Sequence, residues 1–121
     1  MPTVFVISQD WSLRATVRAE LLHAGVEALG MESPDDLAQA LAQGRAPSLV
    51  VLDARGQGSA LSAPLARAAL SNLARRVPLV VVASRVEPAP VLEGVAALLY
   101  RPLRVGEIVA CVQQLLKGQA A

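Results

Sequence analysis

Asp53 is the residue of this chain whose type and surroundings best suit chemistry. It ends the run Ser48-Leu49-Val50-Val51-Leu52-Asp53, and a turn-prone segment with glycines follows it. An apolar run of this length, bounded by Pro47 and by glycines, predicts a strand buried on both faces in the middle of a parallel sheet. The carboxyl end of such a strand opens into the crevice where open α/β sheets bind their ligands. We therefore expect Asp53 to lie at a functional site.

Polar residues follow other apolar runs in the same way. Ser8, Gln9 and Asp10 come directly after the run that begins at Thr3. Ala83-Ser84 and Arg101 end two later runs. Because the carboxyl ends of parallel strands meet at one edge of a sheet, these residues are the candidates to act together with Asp53.

The elements that must position these residues alternate along the chain. Helical periodicity predicts helices at about 12–24, 34–44, 62–75 and 105–116. Pro88 and Pro90 lack the amide proton and leave room for only a short helix before Gly94. The predicted strands cover residues 3–8, 26–31, 48–53, 78–83 and 96–100.

This alternation predicts a three-layer α/β fold. Right-handed crossovers place helices on both faces of a parallel five-stranded sheet, and the expected strand order is 2-1-3-4-5. Strands 1 and 3 then lie side by side at the switch point, which brings Ser8, Gln9 and Asp10 next to Asp53. We assign one domain to residues 1–118 and a tail to residues 119–121.

Five residues carry more local expectations. Ser12 and Ser33 are predicted to cap the first two helices, and Leu65 is predicted to point into the core from the third. Trp11 is expected to cover the edge of the sheet, although an exposed Trp there would make a good binding anchor. Cys111 lies in an apolar helical pattern, which favours a buried and inert thiol.

Composition excludes several classes of protein. Hydrophobic residues make up 54% of the 121 residues, which excludes disorder over most of the length. One Phe, one Trp and one Tyr offer no stacking platform, and the net charge of +1 leaves no basic patch, so direct nucleic-acid binding is not expected. No apolar run approaches a membrane span and no signal peptide is visible, so we predict a cytoplasmic protein without membrane contact.

Over essentially its whole length the sequence resembles the receiver domain of bacterial response regulators, the CheY-like superfamily. The resemblance implies a flavodoxin-like fold, and it implies that Asp53 matches the phosphoacceptor aspartate. It also matches Arg101-Pro102 to the family's Lys-Pro, which usually carries a cis peptide bond. The segments that carry it are Val4-Phe5-Val6-Ile7 with its polar triplet, Leu49–Asp53, Val77–Val82 and Gly94–Leu103.

The resemblance implies a Mg²⁺ site that this sequence does not reproduce. The family binds Mg²⁺ through two carboxylates after the first strand, since this hard cation takes oxygen ligands. Here Ser8 and Gln9 stand at those positions, and neither carries a charge. Asp10 matches a third, less essential acidic position, so at most a weak metal site through Asp10 and Asp53 is expected.

Three further groups of the family are also replaced. The Thr or Ser that bonds the phosphoryl group is Ala83, and the aromatic switch residue of the last strand is Leu98. The lysine that grips the phosphate is Arg101, which keeps the charge but changes its geometry. We expect Arg101 to reach Asp53, or Asp10, with two parallel hydrogen bonds and to fill the space of a phosphoryl group.

The sequence therefore predicts a signalling module of a two-component or phosphorelay system that is not phosphorylated. It would bind a protein partner, such as a kinase, effector or scaffold domain, without a cofactor, and a homodimer is compatible with this reading. It would not be an enzyme, apart at most from autophosphorylation of Asp53. The first alternative is a conventional receiver phosphorylated at Asp53 by a histidine kinase with Mg²⁺. A remote alternative is a flavodoxin-type small-molecule site at Ser8–Ser12.

Overall fold

The structure, a computed structural model, describes residues 2–57, 63–85 and 94–120, and the side chain of residue 120 is not among them. Ser62, the predicted first residue of the third helix, and the predicted short helix before Gly94 lie outside these residues. The elements are β1 (Thr3–Ile7), α1 (Trp11–His23), β2 (Glu27–Met31), α2 (Pro34–Ala42), β3 (Leu49–Asp53), α3 (Pro64–Ala74), β4 (Leu79–Ser84), β5 (Ala97–Arg101) and α4 (Val105–Ala120).

The five strands form one parallel sheet in the order β2-β1-β3-β4-β5, which confirms the predicted topology. In the register between β1 and β3, Ile7 lies opposite Leu52. In the register between β4 and β5, Ser84 lies opposite Arg101. The carboxyl ends of β1, β3, β4 and β5 therefore meet at one edge of the molecule, as the sequence predicted.

The core lies on both sides of β3. All five residues of β3 are buried, and alternation along the strand sends their side chains to opposite faces. Val50 and Leu52 pack with Leu37 of α2 and Leu70 of α3. The opposite face is built by residues of β1, β3, α1 and α4, among them Val6, Val51, Val17, Leu21, Ile108 and Val112.

Helix α1 begins one residue earlier than predicted, and its cap is Asp10 rather than Ser12. Oδ1 of Asp10 accepts hydrogen bonds from the backbone N–H groups of Ser12 at 3.0 Å and Leu13 at 3.3 Å. A carboxylate suits this position because it also faces the positive end of the helix dipole. Gly25, which follows the helix, takes a left-handed conformation with φ +83°.

Helix α2 begins where predicted, but its cap differs from the prediction. Ser33 holds the N-cap position, yet its side chain makes no capping hydrogen bond. Asp36 instead accepts a bond from the backbone N–H of Glu32 at 3.2 Å. Pro34 at the first turn needs no hydrogen-bond partner, since it has no N–H.

Two apolar side chains predicted to be covered are exposed. Leu65 of α3 is 87% exposed, because the buried face of that helix is formed by Ala66, Leu70 and Leu73. One residue around a helix is a rotation of about 100°, which is enough to turn Leu65 outward. Trp11 is 71% exposed, so it does not cover the edge of the sheet.

The last helix is longer than predicted and holds its cysteine at an intermediate depth. α4 runs to Ala120, whereas periodicity predicted an end near Leu116. Cys111 is half-buried, and this burial raises the pKa of its thiol, which agrees in direction with an inert side chain. Among the described residues, no helix is both long and apolar enough to cross a bilayer.

Candidate functional site

The carboxylate of Asp53 lies at the end of β3, with its side chain 2% exposed. Oδ2 accepts hydrogen bonds from Ser8 Oγ at 2.7 Å and from Arg101 Nη2 at 2.7 Å. Oδ1 accepts a bond from the backbone N–H of Arg55 at 3.2 Å. Removing a carboxylate from water is costly unless it is paired and hydrogen-bonded. Both oxygens of Asp53 meet that condition through partners from three different segments.

Arg101 supplies the positive charge of this site. Its ion pair with Asp53, rather than with Asp10, confirms that the side chain reaches across from the end of β5. The predicted pair of parallel hydrogen bonds is wrong, because only Nη2 makes contact and Oδ1 is taken by the Arg55 amide. Nε of Arg101 is buried without a hydrogen-bond partner among the described residues. The peptide bond between Arg101 and Pro102 is cis.

Ser8 is the third member of the site and is completely buried. Besides donating to Asp53, its Oγ accepts a bond from the Asp10 N–H at 3.1 Å. Its carbonyl oxygen accepts a bond from Arg14 Nη1 at 2.5 Å, and its N–H donates to Met31 O at 2.9 Å. The sequence placed Ser8 next to Asp53 and identified it as a neutral replacement for an acid, without assigning it a bond to Asp53. A small hydroxyl at a strand end next to β3 was the signal for its bond to Asp53, whereas nothing in the sequence indicated Arg14.

The side chains of Gln9 and Asp10 are not among the hydrogen-bond partners of Asp53. Asp10 is exposed, and one of its oxygens serves the first turn of α1. The side chain of Gln9 lies directly over Gly56, whose φ of +74° favours glycine and where any Cβ would collide with Gln9. Asp10 therefore caps α1, and Gln9 contacts the loop after β3.

This donor set does not fit a divalent cation. Such an ion needs several anionic oxygens, but Ser8 and Gln9 are neutral and Asp10 caps a helix. The Arg101 guanidinium already holds Asp53 Oδ2 and would repel a second cation there. Across residues 2–57, 63–85 and 94–120, no group of three or more His, Cys, Asp or Glu side chains could hold a metal ion.

The same loop offers little to a phosphate of the flavodoxin type. A phosphate at a helix N-terminus is bound by backbone N–H groups of the first turn. In α1 the N–H groups of Ser12 and Leu13 already donate to the carboxylate of Asp10. A second anion would have to displace that carboxylate.

At the positions that the resemblance assigns to a hydroxyl in β4 and an aromatic ring in β5, the chain carries Ala83 and Leu98. Ala83 is 3% exposed and lies opposite Tyr100 in the register of the two strands. Leu98 is opposite Val81 and is 46% exposed. The guanidinium of Arg85 stacks over the Tyr100 ring, 4.5 Å from its centroid, so this aromatic already has a cationic partner.

Gln57 is a polar residue of the site region that the sequence did not single out. It is fully buried, and its Nε2 donates to the backbone oxygen of Glu32 at 2.6 Å. Its Oε1 has no hydrogen-bond partner within the described part of the chain. Gln57 therefore connects the loop after β3 to the end of β2 by a hydrogen bond, and no sequence pattern predicts this contact.

No protein-family model matches the sequence, and a search of curated proteins returned no match. Solved structures do resemble it. A response regulator receiver protein from Burkholderia phymatum shares 24% identity, with 97% of this chain and 96% of that chain covered and a TM-score of 0.75. The receiver domain of the Francisella response regulator 1452 shares 14% identity, with 98% and 99% covered and a TM-score of 0.74.

A CheY-like receiver domain protein from Methanospirillum hungatei is a third match. It shares 16% identity, 98% of each chain is covered, and the TM-score is 0.72. Each of these matches covers at least 97% of this chain. The chain has the fold of response regulator receiver domains.

Proposed function

We propose that this chain is a receiver-type signalling domain of a two-component or phosphorelay system that binds a protein partner without being phosphorylated. One observation carries the proposal. Oδ2 of Asp53 is held by Ser8 and Arg101, each at 2.7 Å, and the Asp53 side chain is only 2% exposed. The carboxylate that would accept a phosphoryl group is therefore already engaged by the protein itself.

Phosphoryl transfer would need what this site lacks. Catalysis of this reaction comes from positioning the reactants and from neutralising the charge on the transferred group. The resemblance assigns that neutralisation to Mg²⁺ between acids at the positions of Ser8 and Gln9. Here the positive charge of Arg101 already forms an ion pair with Asp53. A phosphoryl group would have to break this ion pair before it met any compensating charge.

The two side chains that would transmit phosphorylation to a partner surface are also replaced. Ala83 has no hydroxyl to bond a phosphoryl oxygen, and Leu98 has no ring to swing in response. The partner would therefore bind one constant conformation. Trp11, 71% exposed and adjacent to Asp10, is the side chain at this edge best suited to anchor such a partner. A kinase, effector or scaffold domain fits this role, and neither catalysis by the chain nor nucleic-acid binding is part of the proposal. A cytoplasmic location stays a prediction.

The test compares the wild type with a variant that restores the family's residues. The variant carries Ser8→Asp, Gln9→Asp, Ala83→Thr and Arg101→Lys. Each protein is incubated with acetyl phosphate and Mg²⁺, and the added phosphoryl mass is measured on the intact protein. We expect none on the wild type and a measurable fraction on the restored variant, lost again when Asp53→Asn is added. Phosphorylation of the wild type at Asp53 would refute the proposal.

A conventional receiver phosphorylated at Asp53 is the second candidate. Arg101 contacts Asp53 through Nη2 alone, and its Nε has no partner among the described residues. These donors could instead bond a phosphoryl oxygen, which favours the second candidate. A Mg²⁺ titration followed by Trp11 fluorescence separates the two candidates, since Trp11 is the chain's only tryptophan. Our proposal expects no saturation at submillimolar Mg²⁺, with or without beryllofluoride. Saturation that Asp53→Asn abolishes would favour the conventional receiver.

A further inference from the structure

β2 is an outer strand of the sheet, and two backbone hydrogen bonds fix the direction of its residues. The Glu27 N–H donates to Pro2 O at 3.0 Å, and Met31 O accepts from the Ser8 N–H at 2.9 Å. Successive residues of a strand direct their backbone groups to opposite sides. Glu27, Leu29 and Met31 therefore face β1, while Ala28 and Gly30 direct their N–H and C=O groups away from the sheet.

Arg18 covers part of this outer edge. Its Nε donates to the carbonyl oxygen of Ala28 at 3.1 Å, in an exposed position. Its side chain lies against Gly30, where an added Cβ would come within 3.3 Å of the Cδ atoms of Arg14 and Arg18. No hydrogen bond within the described residues reaches the Ala28 N–H or the two backbone groups of Gly30. One outward group of four is thus occupied by Arg18.

We propose that the outer edge of β2 is a pairing surface for a second copy of this chain, and that Arg18 holds it closed. An exposed strand edge is a template for another strand. The outward groups lie symmetrically on either side of Leu29, so the edge is complementary to itself. About a two-fold axis at Leu29, Ala28 of each copy pairs with Gly30 of the other. Four backbone hydrogen bonds then join the two sheets.

The side chains near this axis permit the approach. Ala28 and Gly30, which would lie opposite each other, are the smallest residues of the strand. Glu27 would lie opposite Met31 of the second copy, so these side chains do not repel. Arg14 and Arg18 lie against Gly30 in each copy, so their like charges would approach across the seam. Each Arg18 must leave the Ala28 carbonyl before the strands pair. The bond that Arg18 makes within one copy therefore competes with the dimer.

The first experiment measures the dimer dissociation constant by sedimentation equilibrium. Arg18→Ala removes the competing bond from both copies, and Arg76→Ala, in an exposed position after α3, is the charge-matched control. The variant no longer has to break one Arg18 hydrogen bond in each copy, so we expect a dimer about tenfold to a hundredfold tighter. Arg76→Ala should behave as the wild type. Arg18→Ala that stays as monomeric as the wild type would overturn the proposal.

A second variant tests whether β2 is the surface involved. Ala28→Pro removes an outward N–H without disturbing the bonds to β1, because proline is tolerated where an edge N–H faces solvent. Added to Arg18→Ala, it should return the protein to the monomer, and circular dichroism checks that the fold is kept. A dimer that survives Ala28→Pro would show that another surface is used.

A disulfide trap tests the register in a Cys111→Ser background. Leu29→Cys places two thiols opposite each other across the axis, within the Cα separation of about 4.4–6.8 Å that a disulfide accepts. Glu27→Cys is the control, because its two copies would lie about 14 Å apart along the strands. We expect an oxidised dimer in the Arg18→Ala variant only from Leu29→Cys. Equal trapping at both positions would refute the two-fold register.

Discussion

The Asp53 site and the outer edge of β2 differ in the burial and in the hydrogen bonding of their polar groups. At Asp53 both carboxylate oxygens are buried and both are bonded, by a hydroxyl, a guanidinium and an amide. At β2 the outward backbone groups lie at the edge of the sheet, and within the described residues only the Ala28 carbonyl has a protein partner. Burial makes pairing obligatory, whereas water satisfies polar groups that stay exposed.

This difference decides which region can change. Leaving a buried polar group unpaired costs about 1–3 kcal/mol, and more when it is charged. The bonds of Asp53 therefore resist release and hold the site in one arrangement. At the edge of β2 the bond of Arg18 to the Ala28 carbonyl is exposed and can be exchanged for a bond to another strand, so this edge remains available to a new partner once Arg18 is released. The predictions below test this contrast, beginning with the largest expected effect.

Arg101→Met should be the most destabilising of the changes considered. It leaves Asp53 as a buried carboxylate without its cation, and breaking such a pair costs about 3 kcal/mol. Urea unfolding at neutral pH measures the loss. The double variant Asp53→Asn/Arg101→Met should be more stable than Arg101→Met alone, because no charge is then left buried. Strictly additive losses would mean that the ion pair contributes nothing of its own.

Ser8→Ala should cost about 2 kcal/mol, in the range of hydrogen bonds to charged groups. It removes the hydroxyl that donates to Asp53 and that accepts the Asp10 N–H. The matched control is Ser12→Ala in the exposed first turn of α1, where we expect a change of less than about 0.5 kcal/mol. Both values come from chemical denaturation. Similar losses in the two variants would contradict the role assigned to Ser8.

Amide hydrogen exchange should alternate along β2. The amides of Leu29 and Met31 face β1 and should be protected, while those of Ala28 and Gly30 face outward and should exchange at least about tenfold faster. NMR of the wild type, at a concentration at which sedimentation finds a monomer, measures these rates residue by residue. Uniform protection across the strand would show that its outer edge is already paired.

Asp10→Ala should cost about 1 kcal/mol, as the loss of a helix cap does. Its carboxylate is exposed, so no buried charge is involved, and the loss should be smaller than that of Ser8→Ala. Asp10→Asn is the control, because asparagine caps a helix about as well. Thermal unfolding of the three proteins measures the order. An Asp10→Asn variant as unstable as Asp10→Ala would show that the charge, not the cap, is what stabilises α1.

The sequence by itself determined the sheet and the neighbourhood of Asp53. Apolar runs such as Leu49–Asp53 are buried on both faces in only one place, the middle of a parallel sheet. Chain connectivity and handedness then leave few strand orders, and the carboxyl ends of β1, β3 and β5 must meet. The approach of Arg101 to Asp53 followed from this placement and from the need of a buried carboxylate for a cation.

The tertiary structure alone decided how individual side chains are used. The cap of α1 lies two residues earlier than predicted, at Asp10 in place of Ser12, and a rotation of one residue in α3 exposed Leu65. Which oxygen of Asp53 meets Arg101, and which carbonyl meets Arg18, depends on contacts between segments distant along the chain. Periodicity reports the face on which a residue lies. The partner of a polar group is set by the packing that brings these distant segments together.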